Sequence, residues 1–270
     1  MLEHDGLIAR ACESIAGYLA LGNETFEAHG ALFVRNHATP TRYDANHIDL
    51  VRASDPAEIE ALLRRLDMEY EGFGHRRIHT DPLTPPQLAA RLTLEPGYTT
   101  NEELFLILEG RLQATPRPSD IREIVSDADW STYAGLIRAD TVENDEKHGR
   151  TSDFGNFGDH LSYLRAKAPA VRAWMAYVDG VAAGYFSSWP GENGVGQVED
   201  LFVLPQYRHR GIATALIAHC VDDAQARGAE AVVIGADPFD TPKHMYAALG
   251  FRPSFMARSY LRLVRPEAAS

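Results

Sequence analysis

The sequence predicts an α/β (α+β) protein of two domains, with strands and helices alternating through each. Three observations carry this. The chain has 270 residues, more than one domain usually holds. Short apolar or alternating runs with strand character are interleaved along it with segments whose apolar residues recur every three or four positions. And 45% of the residues are hydrophobic, enough for a sizeable core. The polar stretch ATPRPSD, from Ala114 to Asp120, carries two prolines and reads as a linker. The expected domains are therefore 1–113 and 121–270, joined by 114–120.

In the first half, Ile8, Cys12, Ile15 and Leu19 have the spacing of a one-sided helix that stops at Gly22. ALFVRN and NHIDLV read as strands. Asp55-Pro56-Ala57-Glu58 supplies an N-cap, a first-turn proline and a capping-box glutamate, opening a helix with Ile59, Leu62, Leu63 and Leu66 on one face. Thr84-Pro85-Pro86-Gln87 opens another ahead of Leu88 and Leu92, and ELFLILEG comes next as a strand. The glycine-containing segment Glu71 to Arg77 comes after a helix and leads into a strand, the reverse of the order that aims a helix start at phosphate. His75 and His79 are four residues apart. On a strand that is roughly 13 Å, too far to share one ion whose bonds are about 2 Å. They are expected at the surface or an interface, and no metal is expected.

The second half begins with a short strand around Ile121 to Val125 and two helices, Trp130 to Asp140 and Phe157 to Ala168. Between them VENDEKHGRTSDFGN reads as a loop or lid, and the region from Val142 to Gly158 either selects a substrate or simply connects. RAWMAYVDGVAAGYFSSW is two strands joined by the hairpin pair Asp179-Gly180. VEDLFVL is a further strand, ended by Pro205. A short basic turn leads from it to Gly211, and Ala213, Leu216, Ile217, Cys220, Val221 and Ala224 then mark a helix that stops at Gly228. A strand feeding a basic, glycine-containing turn into a helix start aims free amides and the positive end of the helix dipole at one place. That is a site for phosphate, so a phosphorylated cofactor is expected. The turn is neither a P-loop nor a dinucleotide fingerprint, because the Lys-Ser or Lys-Thr pair and the first two glycines are missing.

The pattern Arg208-x-x-Gly211-x-Ala213, with the hairpin before it and AVVIGAD and HMYAALGFRP after it, resembles the GNAT N-acetyltransferase superfamily. The resemblance covers roughly Ser119 to Val264. It implies a GNAT fold, in which a mixed central sheet is flanked by helices, with acetyl-CoA as co-substrate and transfer of acetyl to a primary amine by direct attack in a ternary complex. It also implies that the backbone of Leu201 and Val203, with Phe202 between them, pairs with the pantetheine arm. Arg208, His209, Arg210, Gly211, Ile212, Ala213 and Thr214 would then hold the pyrophosphate, and Tyr246 matches the tyrosine that gives a proton to the coenzyme thiolate. Glu199 is the first candidate for general base, with Asp200, on the other strand face, as the second. Many relatives have an asparagine seven residues before the tyrosine, where this chain has Phe239; Asp240, Thr241 or Lys243 would substitute for its cofactor contact. Strand and helix alternation in the first half suggests a degenerate GNAT-like repeat, as in tandem-GNAT proteins.

A formal charge of −12 repels nucleic acid and anionic lipid and favours a cationic partner. The start, MLEHDGLIARACESIAGYLALG, has early acidic residues and no continuous apolar core, so neither a signal peptide nor a membrane span is expected. Cys12 and Cys220 lie on apolar helix faces without CxxC spacing and read as free thiols of a reducing cytoplasm. The expected partner is a small-molecule or protein amine, with the oligomeric state open, a homodimer included. Two other functions fit the same residues: a CoA-binding or sensor module without turnover, and an acyltransferase acting on the amine of a low-molecular-weight thiol precursor.

Overall fold

The computed structural model describes residues 2–117 and 119–264. Its first elements are α1 (Leu2–Ala20), β1 (Glu24–Ala28), β2 (Ala31–Arg35), β3 (His47–Asp49), α2 (Pro56–Glu69), β4 (His75–Thr80), α3 (Pro86–Leu94) and β5 (Tyr98–Glu109). Then come β6 (Asp120–Glu123), α4 (Asp127–Lys147), α5 (Phe157–Ala166), β7 (Arg172–Val178), β8 (Val181–Trp189) and β9 (Val195–Val203). The last are α6 (Ile212–Ala226), β10 (Ala231–Ala236), α7 (Pro242–Ala248) and β11 (Arg252–Leu263). Two compact units result. The first holds the chain up to residue 105, with 236–243 and the chain from 253 onward; the second holds 106–235 and 244–252. The division at the linker differs from this by assigning all of 121–270 to the second half. Among the described residues no helix is long and apolar enough to cross a membrane.

In the first unit the strands lie in the order β1-β2-β3-β4-β11-β5. β3 and β4 are parallel, with Ile48 beside Ile78. Both isoleucines are fully buried in a core with Phe33, Leu62, Leu66, Leu88 and Leu92. The predicted capping box starts α2: the Asp55 side chain accepts from the Ala57 amide at 2.8 Å, and Glu58 reaches back to the Asp55 amide. Because strands alternate faces, His47 and Asp49 on β3 and Arg77 and His79 on β4 all point away from the isoleucines, to one side.

The surface placement expected for His75 and His79 is therefore corrected. His75 is 1% exposed and its Nε2 lies 3.0 Å from the Asn46 carbonyl. His79 is half-buried with Nδ1 3.3 Å from Asp49 Oδ2. Its neighbours come from the adjacent strand, which spacing along its own strand cannot reveal. Burial first, then the His79 charge, push the wholly buried His47 down to about 3, so that imidazole is neutral.

In the second unit the order is β10-β9-β8-β7-β6. Asp179 and Gly180, with φ of 50° and 78°, close the predicted β7-β8 hairpin. Both angles are positive, as a two-residue turn matching strand twist requires. Helix α6 buries Leu216, Ile217, Cys220, Val221 and Ala224 and packs on β8 and β9. Another cluster joins Trp130, Tyr133, Leu136 and Ile137 of α4 to Met175, Tyr185 and Phe202 of the sheet. Cys12 and Cys220 are free and buried, as expected.

Strand β9 is irregular on both of its sides. Its parallel pairing with β10 involves only Val195, Gly196 and Gln197, although β9 continues to Val203. On its other side, β9 pairs Phe202 with Tyr185 and Glu199 with Ser187, so Asp200 and Leu201 together oppose the single residue Phe186. This is a bulge, and Asp200 has a φ of 66°. Beside it, a Cβ on Gly184 would sit 2.5 Å from the Phe202 carbonyl oxygen. Gly184→Ala is expected to cost roughly 1–3 kcal/mol through overpacking, read as a lower urea midpoint at unchanged slope.

The helices differ from expectation at their ends. Helix α4 continues seven residues past Asp140, to Lys147, because the Ser126–Asp129 capping box starts a helix whose polar later turns are solvated rather than unwound. The residues expected as a loop from Val142 thus begin as helix, leaving 148–156 between α4 and α5, and α5 stops at Ala166 instead of Ala168. Strands β1 and β11 have no counterpart among the elements expected from the sequence.

Candidate active site

The turn from β9 into α6 is built by backbone conformation. Pro205–Tyr207 form one 3-10 turn, His209 has a φ of 61°, and Gly211 caps α6 with a φ of 84°. That left-handed conformation suits glycine. A Cβ there would meet only Arg117 Cδ, at 3.7 Å, so backbone angle and outside access, not crowding, call for glycine. The Ala215 amide is bonded to the Gly211 carbonyl at 3.0 Å. The preceding helix amides, Ile212, Ala213 and Thr214, have no acceptor within the helix and sit at its positive end.

Arg208, expected at the pyrophosphate, is held here by three contacts. Its amide donates to the Pro205 carbonyl at 3.2 Å, its Nε donates to the Val203 carbonyl at 2.8 Å, and its Nη2 lies 2.7 Å from a Glu143 carboxylate oxygen on α4. It ties the turn to β9 and α4, because a guanidinium takes the carbonyl and carboxylate within its reach. Arg210 is exposed, its guanidinium 5.4 Å from the Tyr207 ring centre.

The Leu204 amide donates across to Ala183 of β8 at 2.9 Å. Successive strand amides alternate in direction, so that of Val203, on the regular side of the bulge, faces the other side, where β9 has parted from β10. An open strand edge of this kind accepts an extended amide-bearing chain as an added strand. Phe202 turns into the core against Tyr185.

Tyr246, on α7, is 6% exposed, and its ring centre lies 6.3 Å from that of Phe251. Its carbonyl accepts from the Leu249 and Phe251 amides at 3.0 and 3.1 Å, holding the helix end. Asp240 and Lys243 belong to the first unit, where Lys243 Nζ donates to the Asp240 carbonyl. Asp240 Oδ1 accepts from the Thr241 amide at 2.7 Å.

A polar cleft in the second unit is lined by Asp140 and Asn144 of α4, His160 of α5, Tyr185 of β8 and Asp200 of β9. The expected facing of Glu199 and Asp200 is corrected here. Asp200 lines the cleft, whereas Glu199 does not and instead accepts from Gln197 Nε2 at 2.6 Å. The bulge breaks the two-residue alternation on which the facing was based.

Asp140 accepts a hydrogen bond from the Tyr185 hydroxyl at 2.7 Å. Burial raises its carboxyl above the ordinary range; the Tyr185 bond opposes this, but the Asp200 and Glu143 charges push the same way as burial. Burial also raises the Tyr133 and Tyr185 phenols far above their usual value, keeping both protonated. Asp140, Tyr185 and His160 are not among the site residues expected from the sequence. A signal existed for Asp140: it stands seven residues after Tyr133 and three after Ile137, an acid on the otherwise apolar face of a helix.

Residues 136–251 match the acetyltransferase (GNAT) family. No curated protein matches the sequence. Among solved structures, the chain is similar to a GCN5-related N-acetyltransferase from Kribbella flavida, with 19% identity and a TM-score of 0.68 over 97% of this chain and 96% of that one. It is similar also to a functionally unknown conserved protein from Staphylococcus epidermidis ATCC 12228, with 14% identity and a TM-score of 0.66 over 90% and 95% of the two chains. A tandem GNAT protein from the clavulanic acid biosynthesis pathway gives 15% identity and a TM-score of 0.61 over 88% of this chain and 79% of that one. At such identities the likeness is one of fold. Residues 136–251 therefore form an acetyltransferase domain of the GNAT family, carried in a chain with the fold of tandem GNAT proteins.

Proposed function

We propose that the second unit transfers the acetyl group of acetyl-CoA directly to a primary amine on a cationic acceptor, small molecule or protein, in a ternary complex. The observation that carries this is the acidic cleft: Asp140 and Asp200 face one space, close enough for the Asp200 charge to raise the Asp140 carboxyl. Two carboxylates in a shared cleft attract an ammonium group, and the net charge of −12 favours the same partner. The co-substrate fits the second unit through the open edge of β9 at Val203 and the amides from His209 to Thr214 around Gly211. The two free, buried cysteines suit a reducing cytoplasm.

In this mechanism an acceptor ammonium docks against Asp200 and gives its proton to Asp140, whose raised carboxyl makes it a stronger base than an ordinary aspartate. The freed amine nitrogen attacks the thioester carbonyl carbon. As the tetrahedral adduct collapses, the carbon–sulfur bond breaks and the departing thiolate takes the Tyr246 hydroxyl proton. The proton still in excess on the new amide nitrogen passes through solvent to the Tyr246 phenolate and restores the phenol. A phenol of pKa about 10 stays protonated at neutral pH until sulfur carries charge. Tyr185 holds Asp140 in place.

Release of the CoA thiol, measured across amines of rising positive charge, tests the reading. Cationic amines are expected to outrun neutral ones; bound acetyl-CoA with no thiol released by any amine would leave a sensor module instead. Tyr246→Phe is expected to lower kcat by about 10²- to 10⁴-fold, the usual contribution of one general acid, with acetyl-CoA affinity unchanged. Loss of affinity in that variant would make Tyr246 a packing residue.

A further inference from the structure

The first unit contains a side-chain cluster that acetyl transfer does not use. One ligand atom each from His47, Asp49 and His79 lies within 4.8 Å of the others. Local structure brings them together: His47 and Asp49 flank Ile48 on β3, His79 is next to Ile78 on β4, and the two isoleucines are register partners in a parallel pair. All three side chains therefore project from the same sheet face.

His79 is hydrogen-bonded to Asp49, yet three ring nitrogens of the cluster have no hydrogen-bond partner. These are both nitrogens of the fully buried His47 and the buried Nε2 of His79. Buried polar atoms are rarely left so, and each such case calls for an explanation. Asp49 is anchored through Oδ1, which accepts from the Leu50 amide at 2.7 Å. Its Oδ2 faces both rings, 3.8 Å from His47 Nε2 and 3.3 Å from His79 Nδ1. Neighbouring cations are already paired: Arg77 lies 2.6 Å from Asp44 and Arg52 lies 2.9 Å from Asp81.

We propose that His47, Asp49 and His79 bind one divalent transition-metal ion of the zinc class. Two imidazoles and one carboxylate form a three-ligand set with room for a fourth, exchangeable ligand. Ligand atoms around a tetrahedral zinc lie about 3.4 Å apart for bonds of about 2.0–2.1 Å, so the cluster closes by side-chain adjustment of about an ångström. The open position faces a cavity that Asp49 and His79 line with Cys12, Ile15 and Leu19 of α1 and Arg258 of β11. A small ligand reaches the ion from that cavity.

The test uses the untagged full-length chain, stripped with a chelator and titrated with Zn²⁺ by calorimetry and with Co²⁺ by visible absorption. One ion per chain is expected, with the ligand-field spectrum of a nitrogen and oxygen site and a rise in thermal midpoint on zinc addition. His79→Gln, at the more open edge of the cluster, is expected to fold as the metal-free parent does and to lose at least about 100-fold in affinity, beyond the 10- to 100-fold typical for outer-shell changes. The thermal rise disappears in that variant. Absence of Zn²⁺ and Co²⁺ uptake by the parent chain would overturn the proposal, as would undiminished uptake by His79→Gln, which would place binding at other histidines.

Discussion

Gly211→Glu is expected to abolish acetyl-CoA binding while the chain stays folded. Two effects of different size separate here. A non-glycine residue at a φ of 84° bears left-handed strain of about 1–2 kcal/mol, a loss a domain of this size tolerates. Nothing closer than Arg117 Cδ, at 3.7 Å, meets the new Cβ, so no overpacking adds to it. The glutamate carboxylate, by contrast, stands at the start of α6, where the pyrophosphate is proposed to sit. Two like charges about 4 Å apart repel by about 4 kcal/mol near a protein surface, which is about a thousandfold in affinity. Circular dichroism unchanged from the parent, with no calorimetric heat on adding acetyl-CoA, is the expected pair of observations.

Asp140→Asn is expected to separate activity from stability in opposite directions. As the proposed base, Asp140 contributes about 10²- to 10⁴-fold to turnover, and the amide cannot take a proton. The acid limb of the kcat/KM profile, set in the parent by a carboxyl raised above its ordinary range, should vanish with it. Stability should rise. A carboxyl whose folded pKa lies above its unfolded value stabilises the fold below the unfolded value of about 4, and this contribution is lost as pH rises through the folded value. At neutral pH the parent thus carries a buried, repelled charge that the asparagine lacks, while Tyr185 still has an oxygen to donate to. The variant's higher thermal midpoint at pH 7 should shrink toward zero as pH falls below about 4. A merely structural Asp140 would leave the activity profile unmoved.

Local chemistry made much of the fold legible. The Asp55-Pro56-Ala57-Glu58 box, the Asp179-Gly180 hairpin and the strand–Gly211–helix turn each have a conformational cause within a few residues, and each forms as expected. What depends on neighbouring strands was not legible. The facing of Asp200 is set by a bulge visible only against β8, and the burial of His75 and His79 comes from register with β3 and contacts with Asn46 and Asp49. The contact of Arg208 with Glu143, 65 positions earlier in the chain, was likewise not legible. Asp140 escapes notice because it stands where the expected helix ends, although its place on an apolar face marks it.

The most direct measurement is a calorimetric titration of the purified chain with acetyl-CoA, run beside Gly211→Glu. One molecule bound per chain by the parent and none by the variant is the expected result, placing the co-substrate at the β9–α6 turn of the second unit. A parent chain that binds no acetyl-CoA would contradict the proposed activity, and equal binding by both proteins would contradict the site.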